Sequence, residues 1–450
     1  MKIQLIAVSV LLAILVLVSR AALGQVSQSE ANMLGNELTA IGAQVAKNAS
    51  GTIPAYSGGL PHNSNVNPLE NIYKDEKPLF VITSKNLDQY KQNLTQGQLA
   101  LFAKYPASYK MPVYETHRSA AYPKYVYEKA KKNAVSTELT ATGNGLKNFD
   151  ETIPFALPKN GLEVMWNHVS RYRGGAVSRT TSTMAVQNNG SFTPIRATSL
   201  LATPYALIGG YDESEDDNIL FYFRRSITSP ARFAGNHFLA HETLDQVKQA
   251  RNAWLYNSGQ RRTRRAPSVA YDSPLAGTEG LRTVDEVDIF NGAPDRFNWE
   301  LVGKKEIYIP YNSYKIADEK ARYSDIIQAD HLNQDYTRYE LHRVWQVQAT
   351  LKETSRHLFA QRTFYVDEDT WQIALSDSYD AHGKLTRIDE GHPIQLVNAD
   401  VSVYASTVTY DFLSGRYLIE LSNEERNAYV FGNQYKRKEF KSSALRRAGK

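Results

Sequence analysis

Hydrophobic and polar residues alternate with a period of two through most of the chain beyond residue 176. On that pattern Asn218–Arg225, Ala253–Tyr256, Lys305–Ile309 and Tyr339–Gln348 each read as a strand, because successive strand side chains point to opposite faces. A meander follows. His357–Val366 leads through Asp367-Glu-Asp369 into Trp371–Tyr379, then through Asp380-Ala-His-Gly383 into Lys384–Ile388. Thr407–Phe412, the turn Ser414-Gly415 and Tyr417–Leu421 repeat the theme. Tight polar turns between alternating strands make antiparallel hairpins. No fixed-period repeat is visible, which disfavours propellers and solenoids.

The period is different upstream. Residues 25–175 read as loops with islands of helix, dense in turn formers at 51–68. Thr95 and Gln98 have capping-box spacing ahead of Leu99, Phe102 and Ala103, and Pro106 stops that helix. A second helix spans 160–170. Asn160 caps it, Leu162, Met165, Trp166 and Val169 share a face, and Arg171 and Arg173 suit the negative end of its dipole. The expected organisation is one large, mainly β (α+β) domain. Residues 25–175 pack on a curved antiparallel sheet formed by residues 176–450.

Residues 1–24 stand apart. Lys2 precedes the uncharged 14-residue run Leu5–Val18, and Ala22-Leu-Gly24 fits a small-x-small cleavage site. This reads as a secretory signal peptide cleaved after Gly24, the run being short of the roughly 20 residues of a spanning helix. Of 450 residues none is cysteine, which excludes disulfides, thiolate metal sites and cysteine nucleophiles. The 52 basic and 47 acidic residues give a net charge of +5, too even for a nucleic-acid binder. An exported chain without cysteine fits a periplasm.

Candidate chemistry is thin. Asp212, Ser214, Asp216 and Asn218 alternate like calcium ligands, but Asp217 stands at the turn-glycine position and Phe223 at that of the bidentate glutamate. A solvated hairpin loop is expected there. His237 and His241 would lie about 13 Å apart on a strand, too far to share one ion. No metal, cofactor or catalytic residue is expected. No G-x-S-x-G occurs, and pairs such as Asp285 with Asp288 or Glu368 with Asp369 arise freely among 47 acids. Arg261, Arg262, Arg264 and Arg265 form the densest basic run, which reads as a solvated strand with cross-strand acids or as an anion contact. The basic tail 436–450 reads as a solvated end.

The aromatic residues say more. If the sheet curls without closing and the 160–170 helix lies across its mouth, it can enclose an apolar cavity. Alternation places Leu341, Arg343, Trp345 and Val347 on one face, and Trp371, Ile373 and Leu375 on one face of the next hairpin. Trp254 and Tyr256 share a face by the same count. The candidate ligand contacts are therefore Trp254, Tyr256, Leu341, Arg343, Trp345, Trp371 and Ile373. Arg343, on an inward set, needs an anionic partner, either a ligand or a protein acid.

A series of motifs resembles a known family. They include Leu38-Thr-Ala-Ile-Gly-Ala43, Gly51-Thr-Ile-Pro54, Asp75-Glu-Lys-Pro-Leu-Phe80, Pro158-Lys-Asn-Gly-Leu162, Trp166-Asn-His168 and Arg171-Tyr-Arg-Gly174. His241-Glu-Thr-Leu-Asp245, Gly259-Gln-Arg-Arg262, Arg265-Ala-Pro267, Phe290-Asn-Gly-Ala-Pro-Asp-Arg296, Tyr339-Glu-Leu-His-Arg-Val-Trp345 and Asp367-Glu-Asp-Thr-Trp371 follow in order. The chain resembles the domain-of-unknown-function family 1329, exported bacterial proteins related to the LolA/LolB lipoprotein carriers. Ala40 and Tyr56 stand where that pattern has proline and tryptophan. The resemblance implies a half-open antiparallel β-barrel with helices on its concave side, located in the periplasm, and no established catalytic residues. It implies handling of a lipid or other hydrophobic molecule beside an inner-membrane exporter and an outer-membrane β-barrel protein. The expected function is a non-catalytic carrier. A hydrolase of an envelope lipid or glycan, and a ligand-free accessory subunit of an exporter, are the alternatives.

Overall fold

The computed structural model describes residues 26–448 apart from 247, 267–270, 426, 427 and 433. The expected leader and its cleavage site lie outside the described residues.

The strands are β1 (Phe80–Ile82), β2 (Met111–Val113), β3 (Glu138–Leu139), β4 (Leu146–Lys147), β5 (Ala176–Val186) and β6 (Ile195–Ala202). Next come β7 (Ile219–Ser229), β8 (His237–Thr243), β9 (Asn252–Asn257), β10 (Arg262–Arg265), β11 (Phe297–Pro310) and β12 (Tyr339–Leu351). The last are β13 (Gln361–Asp367), β14 (Ile373–Tyr379), β15 (Leu385–Leu396), β16 (Val401–Asp411), β17 (Tyr417–Leu421) and β18 (Tyr429–Phe431). Sixteen of them form one sheet, in the order β1-β2-β12-β13-β14-β15-β16-β17-β5-β6-β7-β8-β9-β10, with β11 also on β12 and β18 also on β5. The sheet is antiparallel except for a parallel bridge between Tyr339 and Val113. Residues upstream of 176 thus supply two strands of their own, β1 and β2.

Among the described residues four α-helices longer than a single turn accompany the sheet: α1 (Gln96–Lys104), α2 (Lys124–Ser136), α3 (Gly161–Ser170) and α4 (Ser442–Ala448). The sequence signals for α1 and α3 hold. Thr95 and Gln98 form the capping box of α1, and Asn160 accepts from the Glu163 amide at 3.0 Å to cap α3. Gly161 starts α3 because a Cβ there would come within 2.9 Å of the Glu300 backbone and the Val347 side chain. Among the described residues no helix is long and apolar enough to cross a membrane.

Following the register from strand to strand assigns each side chain to a face. Trp299, Leu301, Val347, Trp345, Phe364, Arg362, Ser376, Asp389, Arg387, Thr407, Thr409 and Glu420 share the face that carries α3, called here the inner face. The largest core group lies there, with Val164, Met165, Trp166 and Val169 of α3 against Val347, Phe364, Trp371 and Ile373. Each such large apolar side chain contributes roughly 1.5–3 kcal/mol on burial. The outer face of β15–β17 is covered by Leu94, Leu101, Phe102, Ile316 and Ile326. Strands β13–β16 are therefore buried on both sides.

Three sequence expectations need correction. Strand β14 begins at Ile373, and Trp371 sits in the preceding turn with φ of 56°, so strand alternation does not apply to it. Residues 357–360 are not part of β13, which begins at Gln361. The acidic 212–218 stretch lies, as expected, in the exposed connection between the antiparallel strands β6 and β7, but it is not without structure. Residues Glu213–Asp216 form a helical turn, and Asp216 is buried, accepting from Tyr222 at 2.7 Å and pairing with Arg437. The basic tail is not a solvated end, since Phe440 and Leu445 pack fully buried against Tyr222, Leu239 and Tyr256.

Candidate functional site

The inner face divides into a closed part and an open part. Over β13–β16 it is closed by α3 and by residues 282–291, which cross the sheet without pairing as a strand and are held by charge. Arg282 donates to Thr407 and Thr409 at 3.2 and 3.0 Å. Asp285 takes Arg362 at 3.0 Å and His357 at 3.1 Å, and Glu286 takes Arg387 at 2.7 Å. Phe290 then packs edge-on against both Phe364 and Trp299, ring centroids 5.6 and 5.3 Å away.

Asp288 ends this crossing and joins it to α3. Arg171 donates to it at 2.7 and 2.8 Å and Arg173 at 2.7 Å. Burial alone would raise this carboxyl; the two guanidiniums outweigh it and hold it well below the usual range. The same arginines cap α3, donating to the carbonyls of His168 and Val169 at 2.7 and 2.8 Å. His168 is fully buried between them. Burial and the nearby Arg171 push it down to about 3, so it is neutral, its Nδ1 accepting from the Ile373 amide at 3.1 Å.

On β5–β10 the inner face is open. Val177, Arg179, Leu201, Ser199, Phe223, Arg225, Phe238, Leu255 and Arg264 fall on it by register. Phe223 and Phe238 stand 6.2 Å apart and half-buried, and Leu255 beyond them is 44% exposed. At the inner end of this lane lies a cavity of about 20 Å³ between the C-terminus of α3 and strands β6 and β7. Val169, Leu201, Leu220 and Phe221 supply its apolar wall, and Thr152, Thr203, Arg171, Arg173 and Glu151 its polar one.

The seven sequence-derived contacts do not form one lining. Trp345, Trp371 and Ile373 meet in the inner core group, and the two indoles stack with centroids 6.2 Å apart. Trp254 and Tyr256 fall on the opposite face, where α4 covers them, because the inner positions of β9 are Ala253 and Leu255. Leu341 keeps the register face of Trp345 but packs away from the α3 core, in the group of Tyr308 and Tyr339. Arg343 has protein acids as partners, Glu368 at 3.3 Å and Glu306 at 3.8 Å. Phe223, Phe238 and Leu255 escaped selection for want of tryptophan, although Phe221, Phe223 and Arg225 alternate clearly enough to have marked that face.

The candidate acids are engaged with cations. Besides Asp285 and Asp288, Glu368 takes Arg343 and Lys304, and Asp369 receives Arg118 through two bonds of 2.9 and 2.7 Å. His342, Asp367 and Asp369 offer ligand atoms all within 4.8 Å of one another, a spacing that suits a metal ion. Arg118 already supplies the positive charge at Asp369, so the donor set does not fit a further cation. His237 and His241 have partners of their own, the Ser226 hydroxyl and the Phe440 carbonyl, each at 2.7 Å. Arg262, Arg264 and Arg265 form the exposed end strand β10.

Residues 81–446 match the family described as protein of unknown function (DUF1329), and the chain belongs to that family. It is 52% identical over 438 residues, 96% of each chain, to the uncharacterized protein PA3922 of Pseudomonas aeruginosa. Among solved structures, a putative outer membrane lipoprotein-sorting protein domain from Vibrio parahaemolyticus is similar at a TM-score of 0.42 and 13% identity, covering 64% of this chain and 98% of that one. A DUF1329 family protein from Desulfovibrio piger gives 0.40 at 13% identity, covering 60% and 91%. A LolA superfamily protein from Nitrosomonas europaea gives 0.39 at 10%, covering 64% and 100%.

Proposed function

We propose that the protein is a periplasmic carrier of a lipid or similarly hydrophobic molecule, its sheet acting as a half-open barrel that shelters an apolar chain without chemistry. The observation that supports this reading is the open lane Leu201–Phe223–Phe238–Leu255, an apolar strip on the same face that α3 and residues 282–291 cover over β13–β16. Part-exposed apolar side chains in register gain roughly 25 cal/mol per Å² when a ligand covers them. Export by a cleavable leader, and service between an inner-membrane exporter and an outer-membrane β-barrel protein, belong to the same proposal. Native mass spectrometry with lipid extraction of protein taken from its own periplasm tests it. A co-purifying apolar molecule, lost on Phe238→Ser with the fold retained, is the expected result. Repeated recovery of empty protein that takes up no apolar probe would overturn the reading.

A further inference from the structure

The register across β5–β10 sets one row of side chains on the open inner face: Arg179, Ser199, Arg225, Phe238, Leu255 and Arg264, one from each strand in turn. The row is amphipathic along its length. Arginine and serine occupy its β5–β7 part, and phenylalanine and leucine its β8–β9 part. Leu201 and Phe223 pair beside it in the neighbouring row. Adjacent strands lie about 4.8 Å apart, so Arg225 stands roughly 10 Å from Leu255.

Charge is out of balance at the polar part. Arg179, Arg225 and Arg282 act on one carboxylate, Glu420. Burial would raise Glu420, and the three guanidiniums outweigh it and hold the carboxyl below its usual range. Three cations against one anion leave two positive charges in excess. Glu420 makes its ion pair with Arg179 at 2.9 Å, and Arg282 is buried with the Thr407 and Thr409 hydroxyls as acceptors. Arg225 is left over. It makes a single hydrogen bond, from Nη2 to the Thr183 hydroxyl at 3.0 Å, and no ion pair among the described residues. Burial lowers its pKa, with Arg179 and Arg282 adding to the effect and Glu420 opposing it.

The unused end of this guanidinium is within reach of a ligand. Arg225 and its register partner Ser199 are both half-buried, and the Arg225 Nη1 and the Ser199 hydroxyl keep surface and have no hydrogen-bond partner among the described residues. A guanidinium beside a hydroxyl donates well to an oxyanion, and two charges in excess match a phosphate monoester, which carries about −1.5 to −2 at pH 7. On the other side of Arg225 the half-buried Phe238 and the exposed Leu255 offer apolar surface to a chain leaving that head group. We propose that this row binds a phosphorylated amphiphile, its phosphate on Arg225 Nη1 and the Ser199 hydroxyl and its chain across Phe238 and Leu255. The proposal rests on the carrier reading and narrows it to a ligand with a phosphate head.

The test titrates the full mature chain by isothermal calorimetry with decyl phosphate and, separately, with 1-decanol, both as monomers. Decyl phosphate should bind at least tenfold more tightly. Arg225→Gln should weaken decyl phosphate about tenfold and leave 1-decanol unchanged, and Ser199→Ala should weaken decyl phosphate about threefold. Should Arg225→Gln fail to fold, Ser199→Ala and the ratio of the two probes on the parent carry the test. Equal binding of both probes to the parent, or undiminished decyl phosphate binding to a folded Arg225→Gln, overturns the phosphate site and leaves the carrier reading intact. Binding of neither probe overturns both. If inorganic phosphate binds as tightly as decyl phosphate, the site takes free phosphate and the amphiphile assignment fails. If decanoate binds as tightly, the phosphate assignment fails.

Discussion

The indole of Trp345 stacks on that of Trp371 with planes 11° apart, although one stands on a strand and the other in a left-handed turn. Their surroundings differ. Trp371 is wholly buried and donates to the Ile41 carbonyl at 3.0 Å, whereas Trp345 is half-buried with the Lys304 ammonium 4.5 Å from its ring. Trp371→Ala should therefore cost about 3–5 kcal/mol and Trp345→Ala about 1–2 kcal/mol. Urea unfolding followed by far-ultraviolet circular dichroism measures both. Equal losses would contradict the stated difference in burial.

Asp288→Asn tests the junction between α3 and the crossing segment. An asparagine keeps the shape and tolerates the left-handed φ of 60° at this position, so what changes is the charge facing Arg171 and Arg173. Stranding two such guanidiniums should cost about 3–5 kcal/mol. Arg262→Ala, on the exposed end strand, should stay within about 0.5 kcal/mol of the parent. Thermal melts of the two variants side by side decide the matter.

A pH dependence follows from Asp377. Burial raises this carboxyl to about 7, against the bonds it receives from Thr95 and the Gly97 amide, while the unfolded chain releases the proton near 3.9. The folded protein thus holds a proton that the unfolded chain has lost between about pH 4 and 7. Stability from this group is fully present below the unfolded value, falls as pH rises across that window, and is level above it. Asp377→Asn removes the titration. Relative to the parent, the variant should gain more than about 1 kcal/mol between pH 5 and pH 8, in unfolding curves collected at both. A constant difference would refute the assignment.

The docked tail gives a fourth expectation. Phe440 is fully buried, its ring 5.4 Å from Tyr222. Phe440→Ala should cost about 3–5 kcal/mol and loosen α4, seen as faster amide exchange over residues 442–448 than in the parent. Unchanged exchange there would mean that Leu445 alone anchors the helix.

The hairpins of the second half were legible because their turns are polar and their strands alternate, and α1 and α3 because Thr95 and Asn160 are good caps. The inner face of β13–β16 was not legible. Arg362, Arg387 and Asp389 are buried there beneath residues 282–291, and a strand covered on both sides, on one of them through charged contacts, has no outward polar set to read. The count held for Trp371 and Ile373, which both reach the inner core, and failed at Leu375, which a register shift between Ile373 and Leu375 turns to the outer face beside Tyr365. Trp254 and Tyr256 were placed correctly relative to one another, but no periodicity says which side of a strand meets the helix. Arg171 and Arg173 read as dipole partners of α3, which they are; their joint hold on Asp288 spans more than a hundred residues and leaves no trace in local spacing.

The sheet's path ends at β10, and among the described residues no strand pairs beyond it. Such a free edge normally invites a second chain to add on. Here Arg262, Arg264 and Arg265 stand exposed along four consecutive positions, with Arg261 just before them. Two copies approaching edge to edge would bring those rows of like charge together, which opposes pairing. The arginine strand therefore works against edge-to-edge addition of another copy at this end of the sixteen-stranded sheet.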